Sequence, residues 1–248
     1  FALCVRGATL PRVERQLQIC VDKVQAWVSD NGFKFSPSKT TCVHFTQQRG
    51  IVQDPNITIN GVPITVAKEA KFLGVIFDQK LNFISHIKLV RSSCQKALDV
   101  LRVVGHTDWG ADRTVLLRLY RSLIRSKLDY GCIVWGSARK SYLQMLSPIH
   151  HQGLRISLGA FRTSPVESLY VEAGEPSLAT RRIRLSMNYV LKLRSNPDNP
   201  AYKCVFKPNF VHDFENKPDA IPPLSLRVRP HFKAVGVDLV KIEETLIS

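Results

Sequence analysis

The sequence has 248 residues, of which 44% are hydrophobic, and this is enough to bury the core of one or two domains. Its 35 lysines and arginines outnumber its 20 acidic residues, so the formal net charge is +15 at pH 7. This balance favours a polyanionic partner, nucleic acid first, although a ribosomal-like or simply soluble basic protein would have the same charge. No apolar run approaches the roughly 20 residues of a membrane-spanning helix, so no membrane partner is predicted.

The first 78 residues are predicted to form a mixed α+β region. In chain order, its predicted elements are a helix over 11–31 and strands over 33–35, 41–45, 57–59, 62–66 and 72–77. The helix prediction follows from apolar residues at steps of three and four, with Pro11 in the first turn and Gly32 after the end. Asn60-Gly61 between two alternating runs is a strong hairpin signal.

From about residue 84 the pattern becomes helical. The predicted helices span residues 84–104, 112–128, 142–158 and 178–194. Asp112 is expected to cap the second of these helices. Beyond Ser195, five proline-containing dipeptides fall within a stretch of roughly 40 residues, which predicts an extended linker or arm. The expected domains are therefore 1–78, 79–195 and 196–248.

The residues alone identify neither a catalytic site nor a metal site. No two of the six cysteines lie closer than 16 residues, so no C-x-x-C half-site exists, and we interpret them as reduced core residues of a cytoplasmic or nuclear protein. The seven histidines are interpreted as structural. No pair of carboxylates is placed for two-metal chemistry. No catalytic residue, metal or cofactor is predicted for this chain.

Basic residues are concentrated between Lys80 and Lys140, where 12 lysines and arginines accompany four acidic residues. Arg118, Arg121 and Arg125 recur at steps of three and four and therefore share one helix face. Such a stripe could follow a phosphate backbone, each contact releasing counterions. The same spacing fits an ordinary solvated face equally well. If the arginines follow a phosphate backbone, a neighbouring apolar face is expected to pack into the core, made of Val115, Leu119 and Leu123.

Several short motifs, in this order, resemble the reverse transcriptases of jockey-type non-LTR retrotransposons of the arthropod type. Phe1–Val5 resembles the strand that follows the catalytic Tyr/Phe-x-Asp-Asp turn, so the sequence is expected to be a piece of a longer protein. Residues 27–45 resemble the palm helix and its lysine motif, and residues 71–78 resemble the primer-grip strand. The segments similar to thumb-like helices are 109–113, 116–120, 128–132 and 159–165. The likeness covers about residues 1–200.

The resemblance implies an α+β fold, namely a remnant of a polymerase palm followed by a mainly helical thumb-like region. It also implies a parent RNA-directed DNA polymerase that binds an RNA template and a DNA primer and requires Mg²⁺. The catalytic aspartates of such an enzyme are missing here. The chain is therefore expected to be catalytically incomplete, to need a missing N-terminal polymerase portion, and to keep a template–primer surface. The alternative is a non-catalytic, transposon-derived nucleic-acid-binding protein.

The resemblance also suggests roles for individual residues. Lys39 is expected near the incoming triphosphate, although a solvated turn lysine is the simpler interpretation. Leu73 and Gly74 are expected at the primer, because glycine allows close backbone approach; a glycine bulge in a sheet is the alternative. The arginines at 118, 121 and 125 are expected to line the template–primer groove.

Overall fold

The computed structural model describes residues 2–46, 48, 50, 53–106, 108–208, 211–215 and 221–237. The chain divides into two compact units, 1–83 and 84–248. The elements of the first unit are helix α1 (Leu10–Asp30), a 3-10 turn (Pro37–Lys39), and strands β1 (Thr41–Cys42), β2 (Thr58–Ile59), β3 (Val62–Pro63), β4 (Thr65–Val66), β5 (Glu69–Phe72) and β6 (Val75–Asp78). Helices with a few short strands confirm the α+β class.

The core of the first unit forms where α1 packs against the β2–β3 hairpin. Its buried residues are Val21, Ile57, Ile59 and Ile64. The side chain of Gln18 pairs with the backbone of Thr58 in both directions, at 3.0 Å each. Asn60 and Gly61 have φ values of 52° and 75°, as the two central positions of a tight hairpin require. The predicted helix and hairpin are confirmed.

Three strand predictions in the first unit differ from the structure. Residues 33–35 form no strand, and only Thr41–Cys42 of the segment 41–45 is extended into a ladder, paired in parallel with β4. The segment 72–77 is two strands, because Leu73 and Gly74 turn the chain with φ values of 45° and 82°. Short alternating runs do not show where the backbone reverses, and leucine is a rare residue at a positive φ.

The second unit is helical within the described residues. Its elements are α2 (Ile84–Val104), α3 (Arg113–Tyr120), a π segment (Arg121–Arg125), α4 (Ser126–Asp129), α5 (Cys132–Trp135), α6 (Lys140–Gln144), α7 (Ser147–Leu158), α8 (Val166–Ala173), α9 (Leu178–Arg194), α10 (Ala201–Phe206), α11 (Val211–Glu215) and α12 (Leu224–Ala234). None of the helices described in either unit is long and apolar enough to cross a bilayer.

The predicted helix over 112–128 exists, with a π segment between α3 and α4. The Asp112 carboxylate accepts hydrogen bonds from the backbone nitrogens of Thr114 and Val115, at 2.6 and 3.1 Å, so the predicted cap is confirmed. The expected apolar face is wrong in part, since Val115 is 38% exposed. The buried positions are instead Leu116, Leu117, Tyr120, Ile124 and Leu128.

The expected extended tail contains three helices, α10 to α12. A small core joins two of them to α9, and its buried residues are Val190, Leu193, Val205, Val228 and Phe232. Pro200 and Pro223 occupy the positions just before α10 and α12. Proline lacks the backbone N–H, but in the first turn of a helix this group has no partner within the helix. A proline-rich composition is therefore compatible with short helices.

Helix α7 packs closely on α3 through Gly153. A Cβ atom at this position would lie 2.7 Å from the Tyr120 ring. The Tyr120 hydroxyl is hydrogen-bonded to Nδ1 of His150, which is also buried, and the His150 ring stacks on Tyr170 with centroids 5.4 Å apart. Burial, together with the nearby His151, lowers the pKa of His150 to about 4. The imidazole is therefore neutral in the folded protein at pH 7.

Neutral burial of His150 predicts a pH-dependent stability. The free histidine has a pKa of about 6.5, so as the pH falls from about 6.5 towards 4 the unfolded chain takes up a proton that the folded chain does not. We expect the free energy of unfolding to fall by about 3 kcal/mol across this window. Urea unfolding of the wild type at pH 7, 5.5 and 4.5 measures the slope.

His150→Gln should remove most of this pH dependence, since glutamine does not titrate. The matched control is His106→Gln, which changes a histidine on the surface and leaves His150 in place. Equal slopes in wild type and His150→Gln would contradict the assignment.

Candidate nucleic-acid interface

The structure does not present Arg118, Arg121 and Arg125 as one free stripe. Arg118 is exposed, but Arg121 and Arg125 point towards Glu175 in the loop between α8 and α9. Arg121 Nε lies 2.6 Å from Glu175 Oε1, and Arg125 Nη1 lies 2.6 and 2.8 Å from the two carboxylate oxygens. The Glu175 side chain is only 3% exposed. Two of the three arginines are therefore occupied within the unit.

The surrounding charges make this an ion-pair network. Burial alone would raise the pKa of Glu175, but hydrogen bonds from Arg125 and Arg121 outweigh it and hold the pKa below its ordinary value. Asp129 lies 4.0 Å from Arg125 and 2.8 Å from Arg181 on α9. Arg121 and Arg125 thus pair with acidic residues of their own unit. Their contact with nucleic acid stays a prediction.

A second basic surface lies between α2 and α6. We call it the α2 groove, and its lining residues are Lys88, Arg91, Ser92, Gln95, Lys96 and Met145. It is shallow, with a volume of about 610 Å³, and no carboxylate lines it. Its three cations are exposed and have no hydrogen-bond or ion-pair partner within the described part of the chain. The nearest acidic residue in sequence, Asp99, is paired with Arg102.

The α2 groove was missed from the sequence, although a signal was present. Positions 88, 91, 92, 95 and 96 follow the spacing of one helix face and carry only basic or neutral polar residues. The same spacing argument applied to residues 118–125, and sequence alone could not show which of the two faces meets an acidic partner. The structure distinguishes them because Glu175 occupies one face and leaves the other open.

The remaining sequence-derived sites lie in the first unit. Lys39 is exposed at the end of the 3-10 turn, where its backbone nitrogen donates to Ser36 O at 3.1 Å. Leu73 and Gly74 form the tip of the β5–β6 hairpin, and Leu73 is 74% exposed. Gly74 was expected inside a strand or at a bulge of a sheet. It lies instead in the turn that joins two strands. The nucleotide and primer roles of these residues stay predictions.

Two carboxylates that end or begin an element, Asp78 and Asp112, accept hydrogen bonds from nearby backbone nitrogens. Asp78 accepts from the backbone nitrogens of Asn82 and Phe83, at 3.0 and 2.7 Å, and Asp112 caps α3. Across the described ranges, no three His, Cys, Asp or Glu side chains come together as metal ligands. These residues do not fit the Mg²⁺ expected of the parent enzyme, so we assign no metal-dependent step to them.

The known proteins that this chain resembles belong to one class of protein. Over most of its length the chain is similar to RNA-directed DNA polymerases encoded by retrotransposons. It is 31% identical to the Pol polyprotein of the type-1 retrotransposable element R1 of Bradysia coprophila, over 69% of this chain and 17% of that protein. It is 26% identical to the RNA-directed DNA polymerase of the mobile element jockey of Drosophila melanogaster, over 82% of this chain and 22% of that protein.

These matches confirm the resemblance to the jockey and R1 group of non-LTR retrotransposon polymerases. The chain spans about a fifth of the length of those two relatives. A third relative, the R1 Pol polyprotein of Nasonia vitripennis, is 23% identical over 69% of this chain and 53% of that protein. No protein-family model matches the chain. No solved structure matches it either.

The buried carboxylate provides a test of the ion-pair network. Glu175→Gln leaves Arg121 without a charged partner at this site and leaves Arg125 with only Asp129, 4.0 Å away. We expect a loss of about 1–3 kcal/mol in the free energy of unfolding at pH 7, less than for a fully buried pair because both arginines are partly exposed. The lowered pKa also predicts that wild-type stability falls as the pH drops below about 4.3 and through the folded-state pKa, whereas the variant lacks this contribution. Chemical denaturation at several pH values measures both effects.

The matched control is Glu172→Gln, the same change in an exposed glutamate that pairs with Arg113. Because both partners are exposed, this variant should lose less than about 0.5 kcal/mol. Similar losses in the two variants would show that the Glu175 network does not support the fold.

Proposed function

We propose that this chain is a nucleic-acid-holding part of a retrotransposon RNA-directed DNA polymerase and that the α2 groove contacts the phosphate backbone. One observation carries the proposal: three exposed cations line a groove in which the described residues supply neither an ion-pair partner nor a carboxylate. The names of the relatives supply the kind of nucleic acid, since an RNA-directed DNA polymerase handles an RNA template and a growing DNA strand. The first unit would then belong to the palm and the second to the thumb.

The dimensions of the groove suit a phosphate backbone. Lys88 and Lys96 are eight positions apart, about 12 Å along the helix axis. That length spans two or three phosphates, so each of the three cations can neutralise one phosphate and release its counterion. Ser92 adds an uncharged donor that can bind a phosphate oxygen without reading the bases, whereas Gln95 Nε2 donates to Asp99 at 3.4 Å. The expected binding is therefore strong at low salt and insensitive to sequence.

The sites in the first unit fit the same proposal without carrying it. Lys39 would lie near the triphosphate, and the exposed hairpin tip at Leu73 and Gly74 would reach the primer. No residue of this chain is assigned a chemical step, and nucleotide addition, with its Mg²⁺, is assigned to the parent enzyme. A cytoplasmic or nuclear location is part of the same proposal, because a polymerase that copies RNA needs access to its template. A free-standing nucleic-acid-binding protein is not favoured, because the relatives named above are polymerases or Pol polyproteins.

The α2 groove can be tested by removing its charge. The triple variant Lys88→Gln, Arg91→Gln, Lys96→Gln should bind a primed RNA template more weakly, because up to three phosphate contacts are lost. The slope of log affinity against log salt concentration should flatten by roughly 2–3 units. Binding is measured by fluorescence anisotropy with the full chain between low and moderate salt, and circular dichroism checks the fold.

The control keeps the total charge of the triple variant but moves the change elsewhere in the second unit. Arg184→Gln, Lys203→Gln, Lys207→Gln alters three exposed cations that also have no partner among the described residues. This control should leave the slope nearly unchanged. If both triple variants lose the same affinity, net charge rather than the groove accounts for binding. The single change Arg118→Gln tests the exposed arginine of the α3 face, whose charge also acts on Asp112.

A further inference from the structure

The turn between α7 and α8 holds an aromatic ring in solvent. Its sequence is Gly-Ala-Phe-Arg-Thr-Ser-Pro over residues 159–165, and the phenyl ring of Phe161 belongs to a residue that is 82% exposed. Among the large apolar residues that the structure describes, only Val171, at 83%, is more exposed, and leaving a phenyl ring in water forfeits its burial energy. A ring displayed in this way is suited to contact with another molecule.

The turn is fixed by hydrogen bonds at both ends. Gly159, with φ 64°, ends α7 in the left-handed conformation, and the Ala160 nitrogen donates to Arg155 O at 3.0 Å. The Ser164 nitrogen closes the turn on Phe161 O at 3.1 Å, and Arg155 Nη2 donates to Ser164 O at the same distance. The ring is therefore presented on a rigid support, so little backbone entropy is lost when it binds.

The charge around the ring favours a polyanion. Arg162 is exposed and has no partner within the described residues, and the turn contains no acidic residue. The nearest carboxylate in sequence is Glu167 in the first turn of α8, five positions after Arg162. An aromatic face beside a free guanidinium is the chemistry that binds an unpaired base and its neighbouring phosphate.

We propose that Phe161 is a stacking platform for an unpaired base of single-stranded nucleic acid, and that Arg162 contacts the adjacent phosphate. This inference rests on the proposed function, but it assigns a different contact. The α2 groove binds phosphates of any strand, whereas Phe161 requires a base that is not stacked in a duplex. The turn would thus hold the single-stranded part of a template and add no affinity for the paired part.

The test compares single-stranded and duplex ligands bound to the full chain. The single strand carries the fluorescent purine 2-aminopurine, whose emission falls when it stacks on an aromatic ring. Phe161→Ala should weaken single-strand binding by roughly 5- to 100-fold and abolish the fall in emission, with duplex affinity unchanged. Phe161→Trp should keep both signals, whereas Phe161→Leu, which stays apolar but cannot stack, should behave like alanine.

The matched control is Val171→Ala on α8, since Val171 is 83% exposed and also apolar. It should leave all ligands unaffected. Unchanged single-strand binding in Phe161→Ala, or full activity of Phe161→Leu, overturns the inference. So does a Phe161→Ala variant whose only change, by light scattering, is dissociation of a dimer, because the ring would then meet a second copy of the chain.

The design separates this inference from the proposed function. If the wild type binds duplex with the expected salt dependence and Phe161→Ala has no effect on the single strand, the stacking platform fails and the α2 groove stands. If the wild type binds neither ligand, both fail. Loss of duplex binding in the α2 triple variant together with retained 2-aminopurine quenching supports two independent contacts.

Discussion

The buried carboxylate of Glu175 is the constraint on which the second unit depends. A charge removed from water is tolerated only when it is paired and hydrogen-bonded, so two arginines must point into the same small volume. Both come from the π segment, and the carboxylate comes from the loop that connects α8 and α9. Pairing them ties the loop to the helix, and α9 begins shortly after it, where Ser177 Oγ accepts a hydrogen bond from Thr180 N. Arg181 on α9 then completes the network at Asp129.

This pairing divides the basic residues into two functional groups. One group forms ion pairs with buried or half-buried acids and stabilises the fold; it consists of Arg121, Arg125 and Arg181. Other cations, on α2 and in the α7–α8 turn, face solvent and have no partner among the residues that the structure describes. The net charge of +15 is therefore unevenly expressed at the surface. The positive electrostatic potential is weaker around the paired arginines and stronger around the exposed cations. Binding to a polyanion depends on the cations that the fold leaves unused.

Local patterns in the sequence predicted local structure and little beyond it. The helices α1, α2 and α9, the Asn60-Gly61 hairpin and the Asp112 cap each depend on residues within a few positions of one another. The arginine pairing does not, because Glu175 lies 50 to 54 residues from its partners. The turn at Leu73 was also missed, since leucine carries no turn signal. Only the structure shows which basic face pairs with an acidic residue and which stays exposed to solvent.

The π segment has a consequence for how this helix tolerates changes in chain length. A π turn contains one more residue than an α turn, and each residue added to an α-helix rotates all that follows by about 100°. Deleting one residue elsewhere in the helix would swing Leu128 out of the core. Deleting one between Arg121 and Arg125 would convert the π turn to an α turn and leave the flanking helices in register. The helix can thus lose a residue within the π segment and keep its register. The same segment directs Arg121 and Arg125 towards Glu175.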